Sequence, residues 1–167
     1  MRKLPAEIVA SLLAATTVLI SLPPSDLPPW AIFISWAGTF AMGGPTKGNL
    51  KRIWPVMPIG SVAAFLIVLG FSAADEHFSG VSLVVAQMTI LFCLNAGMML
   101  LGRLRWLSFV PGMFFGFASY FATVFGGFGP VPHNPVVALI AVIPMNALGP
   151  VYAWLNARFA VPHRVDA

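Results

Sequence analysis

Charged residues are scarce in this sequence, at 8% of 167 residues, and cysteine occurs only once, as Cys93. Ordinary soluble domains contain about 25% charged residues and about 45–50% apolar residues. This chain is instead 59% hydrophobic. The composition excludes a soluble globular domain, because only lipid accepts so much apolar exterior. A single cysteine within an apolar run excludes an intrachain disulfide and a cysteine-based metal site.

The few basic residues are clustered in short segments that recur along the chain. All nine Lys and Arg fall in four short segments that flank apolar runs: 2–3, 47–52, 103–105 and 158–164. The intervening loops carry acidic residues or histidine instead. Because basic residues are retained on the cytoplasmic side, this alternation predicts six transmembrane helices with both termini in the cytoplasm. Such dispersed charge argues against nucleic-acid binding, despite a net charge of +4.

The apolar runs predict an all-α membrane protein with a single domain. Six helices of about 20 residues use about 120 residues and leave only short loops. Three spans per half would place the halves in opposite orientations, as in a 3+3 inverted repeat. Ser35–Gly38 loosely echoes Ser108–Gly112, although chance similarity explains that echo more simply. The predicted spans are about residues 6–22, 28–42, 53–74, 81–101, 106–125 and 135–159.

Ionisable residues are confined to the ends of the predicted spans, as with Glu7 and Arg158. Proton relays and ion-coupled transporters usually bury such groups, so an ion-coupled pump is disfavoured. The sequence has no nucleophile with its base, no phosphate-binding loop and no metal-ligand spacing. We therefore expect no enzyme activity, no cofactor and no metal.

Uncharged polar residues in the spans are the candidate binding groups. Asn146 lies between Pro144 and the pair Gly149-Pro150, and each proline frees a backbone carbonyl. One interpretation is a broken helix that lines a solute path. The other is a proline kink in which Asn146 forms a hydrogen bond across a helix interface. The same path would include polar residues of spans two and four: Ser35, Thr39, Gln87 and Asn95.

Two further motifs concern helix geometry. Gly112 and Gly116 form a GxxxG pair directly after Pro111, which predicts close helix packing. Asn134-Pro135 superficially resembles the Asn-Pro-Ala signature of water channels. However, a helix N-cap followed by proline at the first helical position is the favoured interpretation.

Two segments of the chain are similar to a known family. The first reads ISWAGTF from Ile34, followed by GGPTKG, and the second reads LSFVPGMFFG from Leu107. In order and spacing they resemble an uncharacterised family of small bacterial inner-membrane proteins, a domain of unknown function. The resemblance implies a multi-pass protein of the bacterial inner membrane. It implies no catalytic residues, because that family has no assigned chemistry.

The sequence as a whole predicts a channel or facilitator for a small neutral solute. We expect a homo-oligomer, because so small a bundle has little interior of its own; the other expected partners are the lipid bilayer and the solute. The alternative is a structural or accessory subunit of a larger membrane complex, which short loops and abundant glycine would suit. A continuous polar path, within a protomer or around a symmetry axis, would distinguish these functions.

Overall fold

The computed structural model describes residues 3–161, which form six α-helices. The all-α prediction is confirmed for this part of the chain. Three of the helices are long and apolar enough to cross a membrane, namely Lys47–His77, Gly80–Leu101 and Pro135–Phe159, and two shorter helices, Ala6–Ile20 and Val110–Phe125, are also apolar. The six are α1 (Ala6–Ile20), α2 (Pro29–Ala41), α3 (Lys47–His77), α4 (Gly80–Leu101), α5 (Val110–Phe125) and α6 (Pro135–Phe159).

Two helices begin several residues away from their predicted starts, whereas the other four begin within one residue of them. The third span was predicted from residue 53, whereas α3 begins at Lys47 because the Thr46 side chain accepts a hydrogen bond from the Asn49 amide at 3.2 Å. The fifth was predicted from residue 106, whereas a short 3₁₀ turn occupies Arg105–Leu107 and α5 begins at Val110. Proline at position 111 suits this start, since first-turn amides need no partner within the helix.

The last helix has the predicted bounds. The Asn134 side chain accepts hydrogen bonds from the amides of Val136 and Val137, both at 3.0 Å. Pro135 occupies the first turn, as the capping interpretation predicted. The helix then continues through Pro144 and Pro150 to Phe159 without interruption.

Two helix pairs form the centre of the bundle: α3 packs on α5, and α2 packs on α6. The larger hydrophobic core lies among α2, α3, α5 and α6, and includes fully buried Ile32, Tyr120 and Val142. By contrast, α4 packs mainly against α3 and leaves most of its surface exposed, with Val81 81% and Phe92 73% accessible. An exposed apolar face of this kind is stable in a membrane, because lipid contacts it without the free-energy cost of exposing apolar side chains to water.

The two ends of the described chain meet at one end of the bundle. The Leu4 amide donates to the Phe159 carbonyl at 3.1 Å, and the Val161 amide donates to the Leu4 carbonyl at 2.8 Å. These bonds form an isolated parallel bridge between Leu4 and Ala160. The start of α1 is thereby joined to the end of α6.

Candidate functional site

Asn146 is the most deeply buried amide side chain of the described residues, at 1% exposure near the middle of α6. Its Oδ1 accepts a hydrogen bond from the Ser119 hydroxyl of α5 at 2.9 Å. Its Nδ2 has no hydrogen-bond acceptor among the described residues. A buried donor without a partner costs about 1–3 kcal/mol, so this amide favours any acceptor that reaches it.

Two neighbours of Ser119 on α5, Tyr120 and Thr123, are also fully buried hydrogen-bonding side chains. The Thr123 hydroxyl donates to the Ser119 carbonyl at 2.7 Å, and the Tyr120 hydroxyl donates to the Pro135 carbonyl at 3.1 Å. None of the buried polar side chains in residues 3–161 carries a formal charge; they are Thr17, Ser35, Thr39, Ser61, Ser119, Thr123, Asn146 and Asn156. A neutral hydrogen-bonding group suits this environment better than an ion, because buried charge needs a compensating partner.

The predicted path residues of α2 lie beside α6. Ser35 and Thr39 are fully buried, and each hydroxyl donates within its own helix, to the carbonyls of Ala31 and Ser35 respectively, at 2.8 Å. A side chain added at Gly149 would overlap the Ser35 hydroxyl. The structure therefore brings Ser35 against α6, one turn from Asn146.

The predicted path residues of α4 have other partners. Gln87 Nε2 donates to Asp75 Oδ1 at 3.1 Å, which joins α4 to the end of α3. Asn95 Nδ2 lies 3.8 Å from the sulfur of Met99 on its own helix. Neither side chain bonds to Asn146, since α4 packs mainly on α3. Within one protomer, the α5–α6 site is built without them.

Glycines set the closest approaches between the helices. A Cβ at Gly116 would overlap the Met57 carbonyl of α3, and one at Gly112 would overlap the side chain of Val56. The predicted close packing at this GxxxG pair is present. The Ser61 hydroxyl adds a hydrogen bond across the same crossing, to the Gly116 carbonyl at 3.0 Å.

Sequence reasoning missed Gly60, which makes an equally close crossing in the other direction. A Cβ at Gly60 would overlap the Met113 carbonyl and lie 3.0 Å from the Phe117 amide nitrogen. One at Gly149 would lie 2.5 Å from the Ile32 carbonyl oxygen and 2.6 Å from the Trp36 amide nitrogen. In both cases the glycine meets a carbonyl and the amide four residues later. A shared spacing in the sequence could have indicated that the two glycines are related, because each follows a proline by five positions.

These features define a helical membrane protein with a neutral polar site between its last two helices. More particularly, the chain belongs to a family described as a protein of unknown function (DUF1097), whose profile matches residues 7–161. The predicted membership of an uncharacterised family is confirmed. No curated protein and no solved structure matches the chain. Residues 3–161 also contain no group of three or more His, Cys, Asp or Glu that could hold a metal ion.

Proposed function

We propose that this protein is a facilitator for a small neutral solute, with the Asn146 amide as its central binding group. The observation that carries the proposal is the Asn146 Nδ2 donor, which is buried and has no acceptor among the described residues. A hydrogen-bond acceptor of the solute would satisfy this donor during passage. Ser119 holds the other end of the amide, so the donor has a fixed direction.

The absence of buried charged side chains among residues 3–161 supports a neutral solute over an ion. An ion at this depth would need a charged partner or a ring of carbonyls. The buried polar side chains of residues 3–161 instead offer hydroxyl and amide groups, and the Ser119 hydroxyl bonds directly to Asn146. Small molecules that accept and donate hydrogen bonds, such as water, urea, ammonia or glycerol, fit these groups.

We also propose that the facilitator is an inverted repeat in which α1–α3 correspond to α4–α6. Support comes from two pairs of aligned segments. Residues 55–66 (PVMPIGSVAAFL) and 144–155 (PMNALGPVYAWL) are identical at five positions, and residues 33–41 (FISWAGTFA) and 114–122 (FFGFASYFA) are identical at four. This alignment differs from the Ser35 and Ser108 echo of the sequence analysis.

The glycine contacts give independent support for the same alignment. It pairs Gly60 with Gly149, and it pairs Met113 and Phe117 with Ile32 and Trp36. Those are the backbone groups that each glycine meets. The crossing of α3 with α5 then corresponds to the crossing of α6 with α2, as a two-fold axis between the halves requires. Asn146 has no polar counterpart, because Met57 occupies the corresponding position of α3.

The proposed membrane arrangement is six spans in the bacterial inner membrane, with both termini in the cytoplasm. It is supported by the alternating basic segments and by the two ends of the described chain meeting at one end of the bundle. We also propose a homo-oligomer, since the apolar face of α4 offers a surface for a second copy. Three of the six helices, α1, α2 and α5, are shorter than a bilayer span normally requires, and neighbouring copies would shield their ends.

Solute flux tests the facilitator directly. The full-length protein is reconstituted in liposomes, and the permeability to water, urea, ammonia and glycerol is measured by stopped flow. We expect at least one solute to cross faster than in empty liposomes, and Asn146→Leu to abolish that increase. Asn95→Leu is the matched control, because it makes the same chemical change on α4.

The outcomes separate the two candidate functions. Undiminished flux in a folded Asn146→Leu protein would overturn the role of Asn146. If liposomes with the unmodified protein were no more permeable to any of the four solutes than empty liposomes, the proposed facilitator function would be wrong. In that case the accessory subunit becomes the better explanation, and the oligomer purified in mild detergent should then contain a second polypeptide.

A further inference from the structure

A groove opens between α3 and α6 at the end of the bundle where the described chain begins and ends. Its volume is about 260 Å³, and it is lined by Leu50, Trp54, Pro150, Val151 and Trp154. Because α3 begins at Lys47 and α6 ends at Phe159, the two basic helix ends lie on either side of it. The groove is separate from Asn146, which is fully buried.

The two indole rings give the groove fixed walls. Trp54 Nε1 donates to the Ala147 carbonyl of α6 at 3.1 Å, so that ring bridges the two helices. The Arg158 guanidinium lies over the Trp154 ring, 5.5 Å from its centroid. This cation–π contact keeps a positive charge at the mouth of the groove. Tryptophan also prefers the level of lipid headgroups in a membrane.

The two helix segments that form the groove are basic. Helical spacing places Lys47 and Lys51 on the same face of α3 as Leu50 and Trp54. The segments 47–54 and 151–159 contain four basic residues and no Asp or Glu. Lys47, Lys51 and Arg158 are all exposed, so their charged groups are available to a ligand.

We propose that this groove binds an anionic phospholipid. An acyl chain would lie on the apolar floor made by Leu50, Pro150 and Val151. The phosphate would lie at the rim, where Arg158 and Lys51 supply donors and positive charge. The combination of an apolar floor, aromatic walls and a cationic rim favours an anionic lipid over a second protein chain. The inference is independent of the solute path.

Lipid binding to the full-length protein in detergent tests the proposal. Phosphatidylglycerol and phosphatidylcholine with identical acyl chains are titrated, and bound lipid is counted by native mass spectrometry. We expect tighter binding of phosphatidylglycerol. Lys51→Gln and Arg158→Gln should each weaken it about fivefold, which corresponds to about 1 kcal/mol for each charge at an anionic surface. Arg105→Gln is the matched control, since this exposed arginine lies in the connection between α4 and α5.

Other results would overturn the proposal. Equal weakening by Arg105→Gln would indicate diffuse surface charge and no defined site. Inorganic phosphate that competes fully with the lipid would indicate an anion site without an acyl chain. Trp154→Leu provides a further check because it keeps every charge. It should weaken phosphatidylglycerol binding while the unfolding temperature in phosphatidylcholine stays within the range of the Arg105→Gln control.

Discussion

Ser119 and Asn146 join α5 to α6 through a 2.9 Å hydrogen bond between two fully buried polar side chains. The serine hydroxyl donates to the amide oxygen, so the amide nitrogen is directed elsewhere. Ser119 thus positions the Asn146 side chain, whose Nδ2 donor has no acceptor within the part of the chain that the structure describes. The direction of the Asn146 donor therefore depends on how α5 packs against α6, as well as on the polarity of the two side chains.

Replacing Ser119 by Ala should destabilise the bundle modestly. Hydrogen bonds between membrane helices contribute about 0.6 kcal/mol on average and at most about 1.7 kcal/mol, so we expect a loss of about 1 kcal/mol. Thermal unfolding in detergent would measure it. Ser72→Ala is the control, because that hydroxyl donates only within α3, to the Val68 carbonyl. Equal losses in the two variants would show that the bond to Asn146 contributes nothing specific.

The glycines of the two central crossings should tolerate no larger residue. Gly60→Ala and Gly149→Ala place a Cβ against backbone atoms of the facing helix. Because backbone cannot turn aside as a side chain can, we expect losses of about 3 kcal/mol or more in each. Gly97→Ala on α4 should be neutral, since nothing lies within 4 Å of its Cβ position. The free energy of unfolding in detergent is compared between these two variants and Gly97→Ala. An unchanged value for Gly60→Ala would contradict the described packing.

The cap of α6 predicts a graded series at Asn134. Asn134→Ala removes the acceptor of two amide hydrogen bonds and should cost about 1 kcal/mol. Asn134→Asp keeps a side-chain oxygen in place and should retain most of the stability. Hydrogen exchange of the Val136 and Val137 amides would report the effect locally. Equal exchange rates in all three proteins would mean that the cap does not hold this turn.

Labelling with a membrane-impermeant maleimide should resolve the proposed topology. The native thiol, Cys93, is exposed on α4 and is first replaced by Ala. Single cysteines at Lys51 and Arg105 should then react from the cytoplasmic side, and one at Glu76 from the opposite side. This follows if the segments rich in Lys and Arg stay in the cytoplasm. Labelling of all three positions from one side would refute the six-span arrangement.

Local features of the sequence predicted local features of the fold. The Asn134-Pro135 cap gave the start of α6, because capping depends on neighbouring residues alone. The early start of α3 was missed, although Thr46 and Asn49 form a comparable cap. The basic stretch that follows was interpreted as a loop. Charged residues are equally stable in a helix that extends beyond the hydrocarbon layer.

Relations between distant helices were harder to predict. The sequence grouped Gln87 and Asn95 with Asn146, yet their helix packs mainly on α3. Apolar residues occur on every side of α4. No periodic pattern in its sequence therefore indicates which face contacts the rest of the protein. Ser119 was not among the site residues identified from the sequence. Its role depends on a residue of the next helix, and spacing within one helix cannot reveal it.

The bridge between Leu4 and Ala160 leaves the order of the helices open to rearrangement. Because both ends of the described chain lie side by side, a short linker could join them, and the chain could be reopened at Ser79. Such a circular permutant would run from α4 to α6 and then from α1 to α3, with every helix crossing retained. In the proposed six-span topology its new termini would lie on the side of the membrane opposite the cytoplasm. The side of the membrane on which the termini lie could therefore be changed without changing how the helices pack.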